Sequence, residues 1–335
     1  MRTLVLVVAI VAGASAPVAA APQPDDAPLA DGAAAQGAIA SGAALIAEGE
    51  ALGIVIPHEL VHALQDQYVN IDSIEHLEDE DDRVLAAEAA LEGQATLVSF
   101  EVALGFGPDL SGSEEAIRES VREERATQPV LAVAPLFVQE VQIFPYLSGM
   151  QFVARFRSAH PGTSPLGAAM PTSTTQIMHA EAYFTEPRRA PLAVTFGTPQ
   201  GMSVEWSNVM GEFSTRAFLW QLLRDEKRAA RASQGWAGDR YEILRSPDGD
   251  GLAWLTVWDS PADAREFADA MRRVVARRYA KPPSESDGDR TRWAPAGRQV
   301  AIELLDVSGH PSVLYWDTPT GIPGNPFQEQ QLQAK

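Results

Sequence analysis

Ten residues, His58-Glu59-Leu60-Val61-His62-Ala63-Leu64-Gln65-Asp66-Gln67, constrain the fold more than any other stretch of the chain. They carry the spacing H-E-x-x-H, which an α-helix turns into one surface. Residues four apart lie a turn apart on the same face, so both imidazoles can close on one cation with Glu59 beside them. Two ligands are not yet a site, because a catalytic metal usually takes three protein ligands and keeps one position open. The fold must therefore bring a second element against this helix. The chain has six His and no Cys, so the third ligand is a His or a carboxylate. His76, His160, His179 and His310 are the other imidazoles. Among the acids Glu88 and Glu92 stand out, because residues 83–103 predict a helix in which Leu85, Glu88, Ala89, Glu92, Ala95, Thr96 and Ser99 recur at intervals of three and four.

The flanking sequence sets the organisation. Arg2, the apolar run Leu4 to Val11 and the small residues ending at Ala20 read as a secretory signal over 1–21, which implies export to a periplasm or beyond the cell. After its removal no stretch is long enough to cross a bilayer. Residues 22–50 are an Ala-, Gly- and Pro-rich leader, and Pro57 suits the first turn of the motif helix. An acidic loop from Asp72 to Asp82 follows the motif. Residues 129–156 form the most apolar stretch and predict buried core, interrupted at Pro135 and at Phe144-Pro145-Tyr146. Residues 205–232 predict one long amphipathic helix. The last hundred residues change period: 241–244 and 252–258 read as strands joined by the turn Ser246-Pro247-Asp248-Gly249-Asp250-Gly251, Asp259-Ser260-Pro261 caps a helix reaching Tyr279, and 299–305 and 312–316 are two more strands. The expected fold class is α+β, with a mainly helical domain around the motif helix over 51–200 and a long helix plus a small antiparallel α+β subdomain over 201–335. Formal charge is −19, and this excess of acids argues against a nucleic-acid partner, since phosphate binding needs clustered Lys and Arg.

His58-Glu-Leu-Val-His62 followed by Glu92-Gly-Gln-Ala-Thr96 resembles the gluzincins, the zinc metallopeptidases related to thermolysin and the zinc aminopeptidases. The resemblance implies a metallopeptidase-like helical domain, Zn2+ as the metal, Glu92 as third ligand with Glu88 as second choice, and Thr96 orienting a metal-bound His. A closer resemblance is to a group of uncharacterised secreted bacterial proteins sharing H-E-L-x-H-A-L-Q-D-Q. Their later signatures look like Phe144-Pro-Tyr146 with Gly149 and Phe152, Pro171 to His179 with Tyr183, and Gly235-Trp-Ala-Gly-Asp-Arg-Tyr241. Gln65, Asp66 and Gln67 can orient the ligands or serve as helix caps and interhelical hydrogen bonds.

These readings imply hydrolysis of a peptide or protein substrate. One zinc per chain would be held by His58, His62 and Glu92, with Glu59 as general base taking a proton from the attacking water and passing it to the leaving amine. A donor facing the developing oxyanion is expected from His179, Tyr183 or Tyr146. The competing class is a catalytically inactive exported zinc-binding or scaffold protein descended from such a peptidase. The short stretch ahead of the motif favours it, because in gluzincins that region supplies the sheet whose edge holds substrate.

Overall fold

The computed structural model describes residues 53–105, 133–322 and 324–335. The expected signal and leader lie outside the described residues. Contacts divide the chain into two compact units. One is Met1–Val69, Ala90–Ala134 and Pro145–Gly167; the other is Asn70–Ala89, Pro135–Phe144 and Ala168–Lys335. The chain is α+β with antiparallel sheet.

In its described part the first unit is helical. Helix α1 spans 53–65 and carries the motif. It runs at least four residues ahead of Pro57, so Pro57 is not in the first turn as expected; its missing N–H leaves the Gly53 carbonyl without an intrahelical donor. After α2 (Ile71–Glu75) comes α3 (Asp81–Leu104), whose residues from Ala90 onward belong to the first unit, and then α4 (Leu136–Ala159). Pro145 lies inside α4, so the interruption expected at 144–146 does not occur. Where α3 meets α4, a Cβ on Gly93 would lie 2.1 Å from the Gly149 carbonyl carbon and 2.6 Å from the Met150 nitrogen. Two glycines therefore let the helix backbones touch.

The second unit is built on a seven-stranded antiparallel sheet. Its strands are β2 (Ser203–Asn208), β3 (Trp236–Ser246), β4 (Gly249–Trp258), β5 (Glu285–Ser286), β6 (Arg290–Trp293), β7 (Arg298–Val307) and β8 (His310–Pro319), in the order β2-β3-β4-β8-β7-β6-β5. A separate pair joins β1 (Val194–Thr195) to β9 (Gln333–Ala334). The turn predicted at 246–251 closes the β3–β4 hairpin, with Ser246 opposite Gly249. Before the sheet come two short helices, α5 (Thr174–Met178) and α6 (Ala180–Phe184). The long helix expected over 205–232 is three elements instead: strand β2, then α7 (Gly211–Leu223), then α8 (Glu226–Ser233). Arg224, in the left-handed region at φ 56°, ends α7. Helix α9 (Pro261–Tyr279) matches the expectation: Ser260 Oγ accepts from the Asp263 N–H, and Phe267, Met271 and Val274 are buried.

Both faces of the sheet are covered, which is why β4 and β8 read as nearly continuous apolar runs. On one face Trp254 and Trp258 pack against Phe267 and Met271 of α9 and Leu219 of α7; on the other Leu255 and Val257 pack with Leu314, Phe327 and Leu332. Alternate residues of one strand thus feed two cores. A buried carboxylate joins this sheet to α7. Asp239, 2% exposed, accepts from the indole N–H groups of Trp236 (3.0 Å) and Trp254 (2.8 Å) and from the backbone N–H groups of Met210 (3.0 Å) and Gly211 (2.9 Å). The Gly235-Trp-Ala-Gly-Asp block is accordingly structural. Among the described residues no helix is long and apolar enough to cross a membrane.

Candidate metal centre

Helix α1 presents His58 and His62 on one face, and α3 presents Glu92 to them. His58 Nε2 lies 3.0 Å from Glu92 Oε2 and 3.0 Å from His62 Nε2, and His62 Nε2 lies 3.4 Å from the same Glu92 oxygen. Two donors bonded at about 2.0 Å to one tetrahedral ion are about 3.3 Å apart, so these spacings fit a zinc-sized cation. Two neutral imidazoles and one carboxylate are also the donor chemistry that such an ion takes. Among the described residues this is the one group of three His, Asp or Glu whose ligand atoms lie within 4.8 Å of one another.

The site is open on one side. His58 keeps 3% of its side chain exposed, whereas His62 keeps 26% and Glu92 25%. Closed coordination suits structural zinc, and an exposed flank suits a site that must admit a fourth ligand. Glu59 is exposed on α1, one residue from His58 and three from His62, the spacing at which helix side chains are neighbours.

Electrostatics hold the cluster together. Burial opposes ionisation of Glu92, yet hydrogen bonds from His58 and His62 more than offset it and hold the carboxyl at about 2. Burial likewise disfavours the His62 imidazolium, but the Glu92 hydrogen bond and charge, the Gln65 hydrogen bond and the Glu59 charge raise it above its ordinary value.

Gln65 decides the orientation of His62. Its Oε1 lies 2.8 Å from His62 Nδ1, so Nδ1–H donates there; in the imidazolium Nε2–H points to Glu92, and in the neutral ring Nε2 is the atom left to ligate a cation. Its amide nitrogen donates to the Leu91 carbonyl (3.0 Å) and to Gln94 Oε1 (3.0 Å), tying α1 to α3 on either side of Glu92. Thr96, expected to orient a ligand, has a buried hydroxyl with no hydrogen-bond partner among the described residues. Asp66 is exposed, and the Gln67 amide donates to the Ala63 carbonyl at the end of α1. Tyr146 on α4 is buried with its ring stacked on His58, centroids 6.3 Å apart.

The remaining expected residues have other surroundings. Glu88 lies in the second unit and is not part of the cluster. His179 and Tyr183 also belong to the second unit. His179 Nε2 is 2.7 Å from Glu212 Oε1, while Glu212 Oε2 accepts from Thr175 Oγ1 at 2.9 Å. That hydrogen bond, more than the opposing burial, raises the His179 imidazolium above its usual range. The Tyr183 hydroxyl donates to the Ala169 carbonyl, with the Arg188 guanidinium 4.3 Å from its ring centre. Gln94, Gly149 and Glu212 were not read as site residues. Nothing in local periodicity marks them, because each acts on a partner far along the chain.

Comparison with protein families matches residues 202–310 to a family described as Domain of unknown function (DUF8575). The matched span covers β2 through β7 with α7 to α9, and does not include His58, His62 or Glu92. Comparison with curated proteins and with solved structures gives no match.

Proposed function

We propose that the protein is a zinc-dependent peptidase whose ion is held by His58, His62 and Glu92, with Glu59 as the general base. The observation that carries this reading is the convergence of three ligand atoms at 3.0 to 3.4 Å, with an exposed carboxylate on the same helix. When bound, zinc supplies Lewis acidity at neutral pH without redox chemistry. The protein's own groups do the rest. Gln65 fixes the His62 tautomer, and buried His58 is held between Glu92 and the Tyr146 ring. Glu59, facing water beside His62, takes a proton from the attacking water and returns it to the leaving amine. Of the donors expected for the developing oxyanion, Tyr146 has its ring on the ligand His58.

The decisive experiment loads the purified protein with zinc and follows hydrolysis of casein and a broad peptide library. Wild type should bind about one zinc per chain, as the three-ligand site requires. Glu59→Gln should keep the metal and lose turnover by a factor of about a hundred or more. Failure to bind zinc at low micromolar concentration removes the proposal at its base. Zinc binding without hydrolysis, unchanged by Glu59→Gln, returns the reading to an inactive zinc-binding scaffold.

A further inference from the structure

A cleft of about 740 Å³ opens among residues of the second unit, and none of the described residues around it takes part in the candidate metal centre. It is bounded by the first turns of α3, the start of α4, helix α7 and strands β3 and β4. That volume falls in the range of about 300 to 1,000 Å³ typical of small-molecule sites.

The walls present apolar side chains that the fold leaves partly wet. Val84 of α3, Phe137 and Val141 of α4, Phe218 of α7 and Leu252 of β4 all line the cleft and are only half-buried. Val138 and Ile243, also in the lining, stay 42% and 38% exposed. Side chains of this kind fill the two cores that flank the sheet; here they converge on a space instead of on one another. Covering them is favourable in proportion to the apolar area removed from water.

Polar groups around this space are turned to partners within the protein. The Trp254 indole N–H donates to Asp239 Oδ2 at 2.8 Å, which leaves its ring as the part offered to the cleft, and Phe218 stands edge-on to that ring at 5.7 Å and 89°. Gln221 Oε1 accepts from the Phe137 N–H at 3.0 Å, and Glu88 has a partner of its own. Asp81 is exposed in the first turn of α3, where water and the helix N-terminus already favour its charge. A charged group on a guest would exchange its hydration for contact with groups already engaged, whereas an alkyl or aromatic body needs only the apolar walls.

We propose that this cleft binds a neutral, mainly apolar small molecule, an alkyl or alkylaromatic compound whose body lies along Phe218 and Trp254. The inference is independent of the metal reading and holds whether or not the chain is a peptidase.

The probes are two alcohols of different length, phenylbutanol and phenylhexanol, with phenylbutylamine and phenylbutyrate as charged counterparts, titrated into the full chain by calorimetry and by tryptophan fluorescence. The two added methylenes should tighten binding of the alcohol about tenfold. Both ionised probes should bind about tenfold or more weaker than phenylbutanol. Val138→Asp and Ile243→Glu each put a carboxylate into the lining at a position already open to solvent, and each should weaken phenylhexanol about tenfold. If one variant fails to fold the other decides, and the wild-type series depends on neither. No binding of phenylhexanol up to its solubility, an affinity that ignores chain length, an ionised probe bound as tightly as phenylbutanol, or phenylhexanol binding unchanged in a folded variant overturns the proposal.

Discussion

Gln65 does two jobs with different atoms, so two substitutions at one position should separate them. Its carbonyl oxygen accepts from His62 Nδ1 at 2.8 Å, and its amide nitrogen donates to Leu91 O and Gln94 Oε1 at 3.0 Å each. The side chain is 3% exposed, so water does not readily replace a lost partner. Gln65→Leu removes all three bonds at nearly constant volume. Losing the group that orients a metal-ligating imidazole typically weakens metal binding by about 10- to 100-fold, equivalent to about 1.4 to 2.8 kcal/mol. Stranding the buried partners should also cost about 1 to 3 kcal/mol of folding stability. Gln65→Glu keeps an acceptor toward His62 Nδ1 but puts an oxygen where the amide donated, facing two acceptors. It should therefore hold zinc within about threefold of wild type while losing a similar 1 to 3 kcal/mol of stability. Chelator competition measures the first quantity and urea unfolding of the metal-free protein the second. If Gln65→Leu binds zinc as wild type does, Gln65 does not orient His62. If both substitutions lower affinity equally, the effect comes from loosening of the helix pair and not from the tautomer.

Gly93→Ala should be costly in a way that Gly53→Ala is not: its Cβ would lie 2.1 Å from the Gly149 backbone, whereas nothing lies within 4 Å at Gly53. Thermal unfolding should register about 1 to 3 kcal/mol lost at Gly93 and about 0.5 to 1 kcal/mol gained at Gly53. A harmless Gly93→Ala would show that α3 and α4 separate freely. Asp82, fully buried and hydrogen-bonded through Oδ1 to the Thr174 hydroxyl and N–H, is pushed by burial up to about 7 from 3.8. A carboxyl raised in the folded state favours folding while protonated, so its contribution is intact below the unfolded value near 4 and falls away as pH rises toward 7. Asp82→Asn keeps the acceptor but does not ionise, so it should gain stability relative to wild type by up to about 4 kcal/mol between pH 4 and 7. A difference between the two proteins that stays constant over that window contradicts the assignment.

The elements that were legible in the sequence are those whose signal is local. The α9 cap at Ser260 with its inward Phe267, Met271 and Val274, the β3–β4 turn and the helix bearing Glu92 depend on neighbours a few residues away. Strand β2 was hidden because it is an edge strand with Val204 and Trp206 about half exposed, so it lacks the buried alternation that marks a strand. Its residues were absorbed into the strong helical period of Phe213, Phe218 and Leu219. The split between α7 and α8 rests on Arg224 adopting a left-handed conformation that its residue type does not announce. Pro145 misled in the opposite direction, because a helix otherwise held by packing tolerated the one donor it lacks. In the candidate site, spacing on α1 placed His58 and His62, but choosing Glu92 over Glu88 needed the resemblance, since both lie on one predicted helix face.

The way Glu92 is held between the two imidazoles bears on the order of events in making the protein. Its carboxylate already binds both rings by hydrogen bonds, and the cluster is fastened from behind by Gln65 and the Gly93–Gly149 contact. A proton shared among these groups can hold the three side chains together as the helices pack. For the zinc site proposed above, uptake would then be an exchange of proton for cation through the exposed flank at His62, and not a folding step. Such a chain would fold first and take its ion afterwards, with the choice of ion set by what the surroundings offer at that moment.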